Sequence, residues 1–206
     1  MQPNEATLFT TIDLWRNRFA WLIGIILSVL AIYTAGFGAF EDIYQRSVAV
    51  GMAALILLLF RPVSNDPDRP DQLKLLHLFI DFILILAILV ATIWFFHVHD
   101  ELETGLYDLT DQDMIVAYGG LVVLLELTRR TMGMPLLILG ILSLIYCLFG
   151  EALPSIFTHA GYELEETIRT MWYSFDGVFG LPVSVVANMI AVFVVFGVVL
   201  DRKSVV

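Results

Sequence analysis

The stretch LLHLFIDFILILAILVATIWFFHV, Leu75 to Val98, decides the fold. It carries 24 residues, of which Asp81 is the one acidic group and His77 and His97 the other titratable ones. An α-helix needs roughly 20 mostly apolar residues to cross the hydrocarbon core of a bilayer. No period-2 alternation runs through the stretch, so a helix is expected rather than a barrel strand. Working outward, five further apolar runs flank it: Phe19 to Phe40, Ser47 to Phe60 (extended to Ile43 to reach spanning length), Met114 to Leu127, Met134 to Phe149 and Leu181 to Leu200. The expected fold is therefore all-α: a polytopic membrane helix bundle with about six transmembrane helices. The first run lacks the small-residue cleavage site of a signal peptide and reads as a retained span.

Composition agrees. Of 206 residues, 59% are hydrophobic and 16% charged, against about 45–50% and about 25% in soluble domains. Mean hydropathy is +0.84. A single core of this size cannot hide that much apolar side chain. The formal net charge of -10 repels phosphate and argues against a nucleic-acid partner. The single cysteine, Cys147, lies in an apolar run and offers neither a disulfide nor a thiolate metal site.

Basic residues orient the spans. With the N-terminus cytoplasmic, the inner segments hold Arg16, Arg18, Arg61, Arg69, Lys74, Arg129 and Arg130, and the outer ones only Arg46 and Arg169. Arg202 and Lys203 follow the last span on the inside. Acidic residues crowd the outer loops: Asp100, Glu101, Glu103, Asp108, Asp111 and Asp113, then Glu151, Glu163, Glu165 and Glu166. Between the fifth and sixth runs, Leu164, Ile168, Met171, Trp172 and Phe175 recur at helical spacing within Ser155 to Asp176. That pattern predicts an amphipathic helix lying along the outer interface. The inner loop Arg61 to Asp71, with three prolines, is a turn-rich connector.

Few polar groups stand out as candidates for chemistry. His77 and Asp81, four apart, share a helical face, and an ionisable residue at membrane depth is a functional hypothesis. Their position just after Lys74 favours anchoring near the inner interface, where the carboxylate stays hydrated or meets an arginine of a neighbouring helix. His97 and His99 beside acidic residues could bind a divalent metal, but at i and i+2 they do not share a face. Glu126, Arg129 and Arg130 form an inter-helix or interface cluster at the inner end of the fourth run, with Glu126 and Arg130 as a favourable i, i+4 pair. It reads as a positive-inside anchor, or alternatively as a dock for a helix bundle or anionic lipid. Gly36 and Gly38 permit close helix approach or a break. Gly177, Gly180 and Pro182 suit a bent or re-entrant start to the sixth span. No nucleotide-binding loop, nucleophile–histidine set or zinc motif is present, so no enzyme is expected and no catalytic, cofactor-binding or metal-ligating residue is assigned.

Several short stretches, in order, resemble a family: Tyr33 to Gly38 (YTAGFG), Leu125 to Gly133 (LELTRRTMG), Tyr146 through Gly150 to Pro154, His159 to Gly161 (HAG), and Gly177 to Pro182 (GVFGLP) leading into Phe193 to Gly197 (FVVFG). Together they are similar to the N-terminal part of the fused permeases of tripartite ATP-independent periplasmic (TRAP) transporters, TAXI branch. The resemblance covers about Tyr33 to Leu200. It implies a small-subunit-like helix domain over 1–150 and, over 151–206, the start of a large transport domain. It further implies a bacterial or archaeal cytoplasmic membrane, uptake of organic acids by cation symport, and no other cofactor. A periplasmic solute-binding protein would deliver the solute at the outer face. The sites for sodium or protons and for solute would belong to the remainder of the large domain, which would be a partner of these helices along with the lipid bilayer. The chain alone is then expected to be transport-incompetent. The last six residues, Asp201 to Val206, depart from the family pattern. They match a translated sequencing adapter and are expected to be an artefactual tail. Two readings stand beside this one: a non-transport membrane scaffold or anchor, and a small self-sufficient carrier. The carrier would need an ion site at membrane depth and inverted repeats, and no repeat is present.

Overall fold

A computed structural model describes residues 3–38, 40–62, 71–102, 107–150 and 160–203. They form helices α1 (Pro3–Phe37), α2 (Asp42–Phe60), α3 (Asp71–Leu102), α4 (Asp111–Met132), α5 (Met134–Leu148), α6 (Leu164–Trp172), α7 (Leu181–Val185), a π-helical turn (Val186–Ile190) and α8 (Ala191–Lys203). No strand occurs among the described residues. Four helical stretches are long and apolar enough to cross a membrane: Ile12–Phe37, Ile43–Phe60, Leu73–Leu102 and Leu181–Val198. The protein is thus a multi-pass helical membrane protein. Large apolar side chains point away from the fold along these stretches, with Trp21 68% and Ile93 67% exposed. Such faces would be a liability in water, and lipid tails cover them without cost.

The fourth and fifth apolar runs take a different form. They lie in α4 and α5, which Gly133 joins directly. Gly133 has φ +85°, in the left-handed region that L side chains avoid. Its N–H still donates to Arg129 O at 3.1 Å, so the chain turns sharply after α4. Pro135 sits at the start of α5, where its missing N–H costs nothing. At 15 residues and 1.5 Å per residue, α5 is about 22 Å long, short of a hydrocarbon core of about 30 Å.

The residues form two compact units, one from 1–81 with 182–206, the other from 82–181. In the first, α1 packs on α2, and the π-helical turn and α8 pack on α1. Small residues make the seam: Ala20, Ala31, Ser47 and Ala54 are buried, with Leu58 fully so. Within a membrane, helices gain little from apolar burial against one another, and small side chains let backbones approach for dispersion contact. The 1–150 and 151–206 division implied by the resemblance is one between fused subunits. It does not coincide with these units, and residues 151–159 lie outside those described.

In the second unit, α4 packs on α5 and α6. Ile88, Ala91, Phe95 and Val98 of α3 form a buried stripe at spacings of three and four. The amphipathic helix expected over Ser155 to Asp176 is shorter than that: α6 spans Leu164–Trp172, and residues 173–180 are turns. Residues 155–159 of the expected segment lie outside those described. Ile168 and Trp172 are buried, whereas Leu164 is exposed, so the apolar stripe is spent partly on the protein itself. Trp172 lies over Gly120 of α4, where any Cβ would overlap its ring. Phe179 then meets Phe95 at 4.2 Å and Trp172 at 5.3 Å between ring centroids.

Candidate functional site

Two polar constellations hold the first unit. Arg16 lies on α1, four residues before the buried Ala20, so its side chain follows the same face toward α2. Its guanidinium donates to Leu58 O and Leu59 O at 3.2 Å each, the orphan carbonyls at the end of α2. The same group lies 3.7 Å from Asp81 of α3. Asp81 is nearly buried, with 6% of its side chain exposed against 16% for Arg16. Three helices therefore meet at one arginine. A buried carboxylate facing a guanidinium has its charge balanced locally. His77 lies one turn before Asp81 on the same helix, and its Nδ1 is buried without a hydrogen-bond partner.

The second constellation joins Gln45 of α2 to Asn188 of the π-helical turn. Gln45 Nε2 donates to Asn188 Oδ1, and Asn188 Nδ2 donates to Ser184 Oγ at 3.2 Å. Amides satisfy each other across helices where water is scarce. The sixth run is therefore interrupted, as an irregular start would require, but the irregularity lies at Val186–Ile190. Pro182 is an exposed second residue of α7, a position that tolerates proline.

The second unit centres on Asp113, which is 1% exposed. Trp94 Nε1 donates to its Oδ1 at 2.7 Å. Tyr107 OH, Thr110 N–H and Thr110 Oγ1 donate to its Oδ2, each at 2.7 Å. Asp113 N–H returns a long bond to Thr110 Oγ1 at 3.4 Å, closing a capping box at the start of α4. Tyr173 OH donates to Asp113 O at 2.7 Å. Burial alone would push the Asp113 carboxyl up, but the bonds from Thr110, Trp94 and Tyr107 outweigh it and hold the pKa below its ordinary value. The bond to Asp113 in turn raises the Tyr107 phenol. Burial, with the Asp113 charge adding to it, raises Tyr173 beyond the ordinary phenol range. Arg169 extends the knot by donating to Tyr107 O at 3.3 Å. This arrangement binds α3, α4, α6 and the loop before α4 together; every Asp113 oxygen is engaged within the protein.

The sequence candidates fall in several places. Glu126 accepts from Arg129 Nε at 2.7 Å and Arg129 Nη2 at 2.8 Å, and from Arg130 Nε at 2.8 Å. The three side chains meet within α4, with Arg129 as well as Arg130 on the same carboxylate. Arg130 is 4% exposed and Arg129 41%, so one arginine is a packing group and the other faces outward. His97 and His99 part company: His97 is exposed beside Glu101, and His99 packs between the rings of Phe95 and Phe175. Among the described residues, no group of three or more His, Cys, Asp and Glu side chains is placed to hold a metal ion. Gly36 meets nothing within 4 Å, and Gly38, with φ +107°, ends α1. Gly177 and Gly180 serve a tight fold-back, since a Cβ on Gly177 would overlap Met171 O and Thr170 O and one on Gly180 would lie 2.9 Å from Gly177 O and Phe175 O.

The sequence reading missed Gln45 and Asn188, and counted Asp113 only as an outer-loop charge and Arg16 only as an orienting one. The pattern Thr110-x-x-Asp113 was a legible capping-box signal. Amides inside apolar runs were a legible sign of interhelical contact. No protein-family model, curated protein or solved structure matches the chain.

Proposed function

We propose that this protein is a membrane component of a TRAP-type secondary transporter, taking up an organic acid with a cation gradient and a periplasmic solute-binding protein. The ordered set of motifs from YTAGFG at Tyr33 to FVVFG at Phe193 carries this reading. The multi-pass helical architecture is compatible with it. The polar groups within the apolar helices support a bracing role: Asp81 faces Arg16, Gln45 faces Asn188, and both pairs are used between helices. Ion and solute would then bind on other helices of the transporter. The N-terminus lies in the cytoplasm in this reading, and the acidic loops face the binding protein.

The test is uptake in cells with and without the gene. Loss of organic-acid uptake that survives ATP depletion, collapses with an ionophore and disappears on osmotic shock supports transport. Unchanged uptake of dicarboxylates, 2-oxoacids and amino acids on deletion favours a scaffold or anchor instead.

A further inference from the structure

The hairpin of α4 and α5 sets a cation beside an apolar helix. Glu126 accepts two bonds from Arg129, through Nε and Nη2, and a third from Arg130. The two-point bond fixes the plane of the Arg129 guanidinium. No described residue accepts from its Nη1, and 41% of the side chain is exposed. Glu126 divides its charge between two guanidiniums, so it does not neutralise Arg129 by itself.

The neighbouring surface is apolar. Met132, three residues after Arg129 on α4, is exposed, as are Met134 and Leu136 at the start of α5. A Cβ on Gly140 would meet Leu125 Cδ2 at 3.4 Å, so α5 doubles back along α4. Arg129, one turn past Leu125, is then level with Leu136, one turn before Gly140. No residue of α5 is buried. A helix that is apolar on every side needs a nonpolar surrounding. An arginine at the end of such a helix is stable at headgroup level, where polar oxygens meet it while its stem lies on apolar surface.

We infer that this hairpin binds an anionic phospholipid, with the headgroup phosphate on Arg129 and the acyl chains along α5. A free phosphate would leave α5 bare, and an apolar small molecule would leave Arg129 unused. The two N–H groups of Nη1 suit phosphate oxygens. A net negative headgroup balances the guanidinium, whereas a zwitterionic one brings its own cation. The chains of one leaflet cross about half of a hydrocarbon core of about 30 Å, which the roughly 22 Å of α5 can flank.

The test uses the full chain in uncharged detergent micelles with phosphatidylglycerol that carries a photoreactive diazirine in its acyl chain. Labelled peptides are mapped by mass spectrometry, while unlabelled phosphatidylglycerol or phosphatidylcholine competes in separate series. The expected result is labelling concentrated on α5. Phosphatidylglycerol should compete at about one-fifth the mole fraction that phosphatidylcholine needs, the effect of one basic side chain at a membrane surface. Arg129→Gln, which leaves the bond from Arg130 to Glu126 in place, should bring the two competitors level, and Arg129→Lys should keep the preference. Arg61→Gln, which removes an exposed arginine of the other unit, should leave it unchanged. Equal competition, or labelling spread evenly over the apolar helices, overturns the proposal on the unmodified chain alone. So does a dimeric chain whose α5 takes no label, which would give that face to a second copy. A preference that survives in a folded Arg129→Gln protein, or falls as far in Arg61→Gln, overturns it as well.

Discussion

Arg16 and Asp81 lie 65 positions apart in sequence and 3.7 Å apart in space, and the same guanidinium holds the last carbonyls of α2. Truncating either partner leaves the other charge buried. Arg16→Ala is expected to cost about 3–5 kcal/mol, and Asp81→Ala less, because Arg16 keeps the two α2 carbonyls and Asp13 at 3.9 Å. The joint replacement Arg16→Met with Asp81→Leu is expected to cost less than the sum of the single changes. Reversible unfolding in mixed detergent micelles measures all three. Additive single and double changes would show that the pair does not interact.

Asp113 makes stability depend on pH. Its folded pKa is below the ordinary carboxylate value of 3.8, so its charged form favours the fold. That contribution is complete above the unfolded value and is lost as pH falls through the folded one. Thermal midpoints between pH 6 and pH 3 should drop more for the unmodified protein than for Asp113→Asn. Trp94, which donates to this carboxylate, should report the same transition in fluorescence. Parallel pH profiles for the two proteins would remove Asp113 from the account.

Adjacent glycines of α4 should respond oppositely to alanine. At Gly120 the added methyl meets the ring of Trp172, while at Gly119 nothing lies within 4 Å. Gly120→Ala is expected to destabilise by about 1–3 kcal/mol through overpacking and to shift Trp172 emission. Gly119→Ala is expected to be neutral or to stabilise by up to about 1 kcal/mol, the helix-propensity difference. Thermal melts with tryptophan fluorescence separate the two; equal effects would contradict the packing of α6 on α4.

Gly133 must hold φ +85° between α4 and α5. Gly133→Ala places a Cβ in the left-handed region and is expected to cost about 1–2 kcal/mol, whereas Gly36→Ala, on an exposed face, should cost little. A Gly133→Ala protein as stable as the parent would mean that the turn after Met132 has another geometry.

The helices were legible because hydrocarbon thickness fixes a length and backbone polarity fixes a conformation. Leu75 to Val98 alone settles both. The capping box at Thr110 and Asp113 was legible in principle, since it is a local pattern. The bonds from Trp94, Tyr107 and Tyr173 were not, because these residues reach Asp113 only after folding. The polar pairs were half legible: Asp81 stood out as a charge in an apolar run, but nothing local names Arg16 as its partner. The π-helical turn at Val186–Ile190 lies in an apolar run with no local signal of its own, and its Asn188 meets Gln45 from another helix. The bounds of α5 were legible as well, since the fifth apolar run, Met134 to Phe149, nearly coincides with the helix Met134–Leu148, but its 15 residues were counted as a span.

The transporter assignment is tested most directly by reading the source DNA on both sides of this coding sequence. The account predicts that the reading frame continues past Leu200 into further apolar spans of a permease, with a gene for a periplasmic solute-binding protein beside it. A genomic stop codon directly after Val206, with neither permease sequence nor a binding-protein gene adjacent, would contradict it.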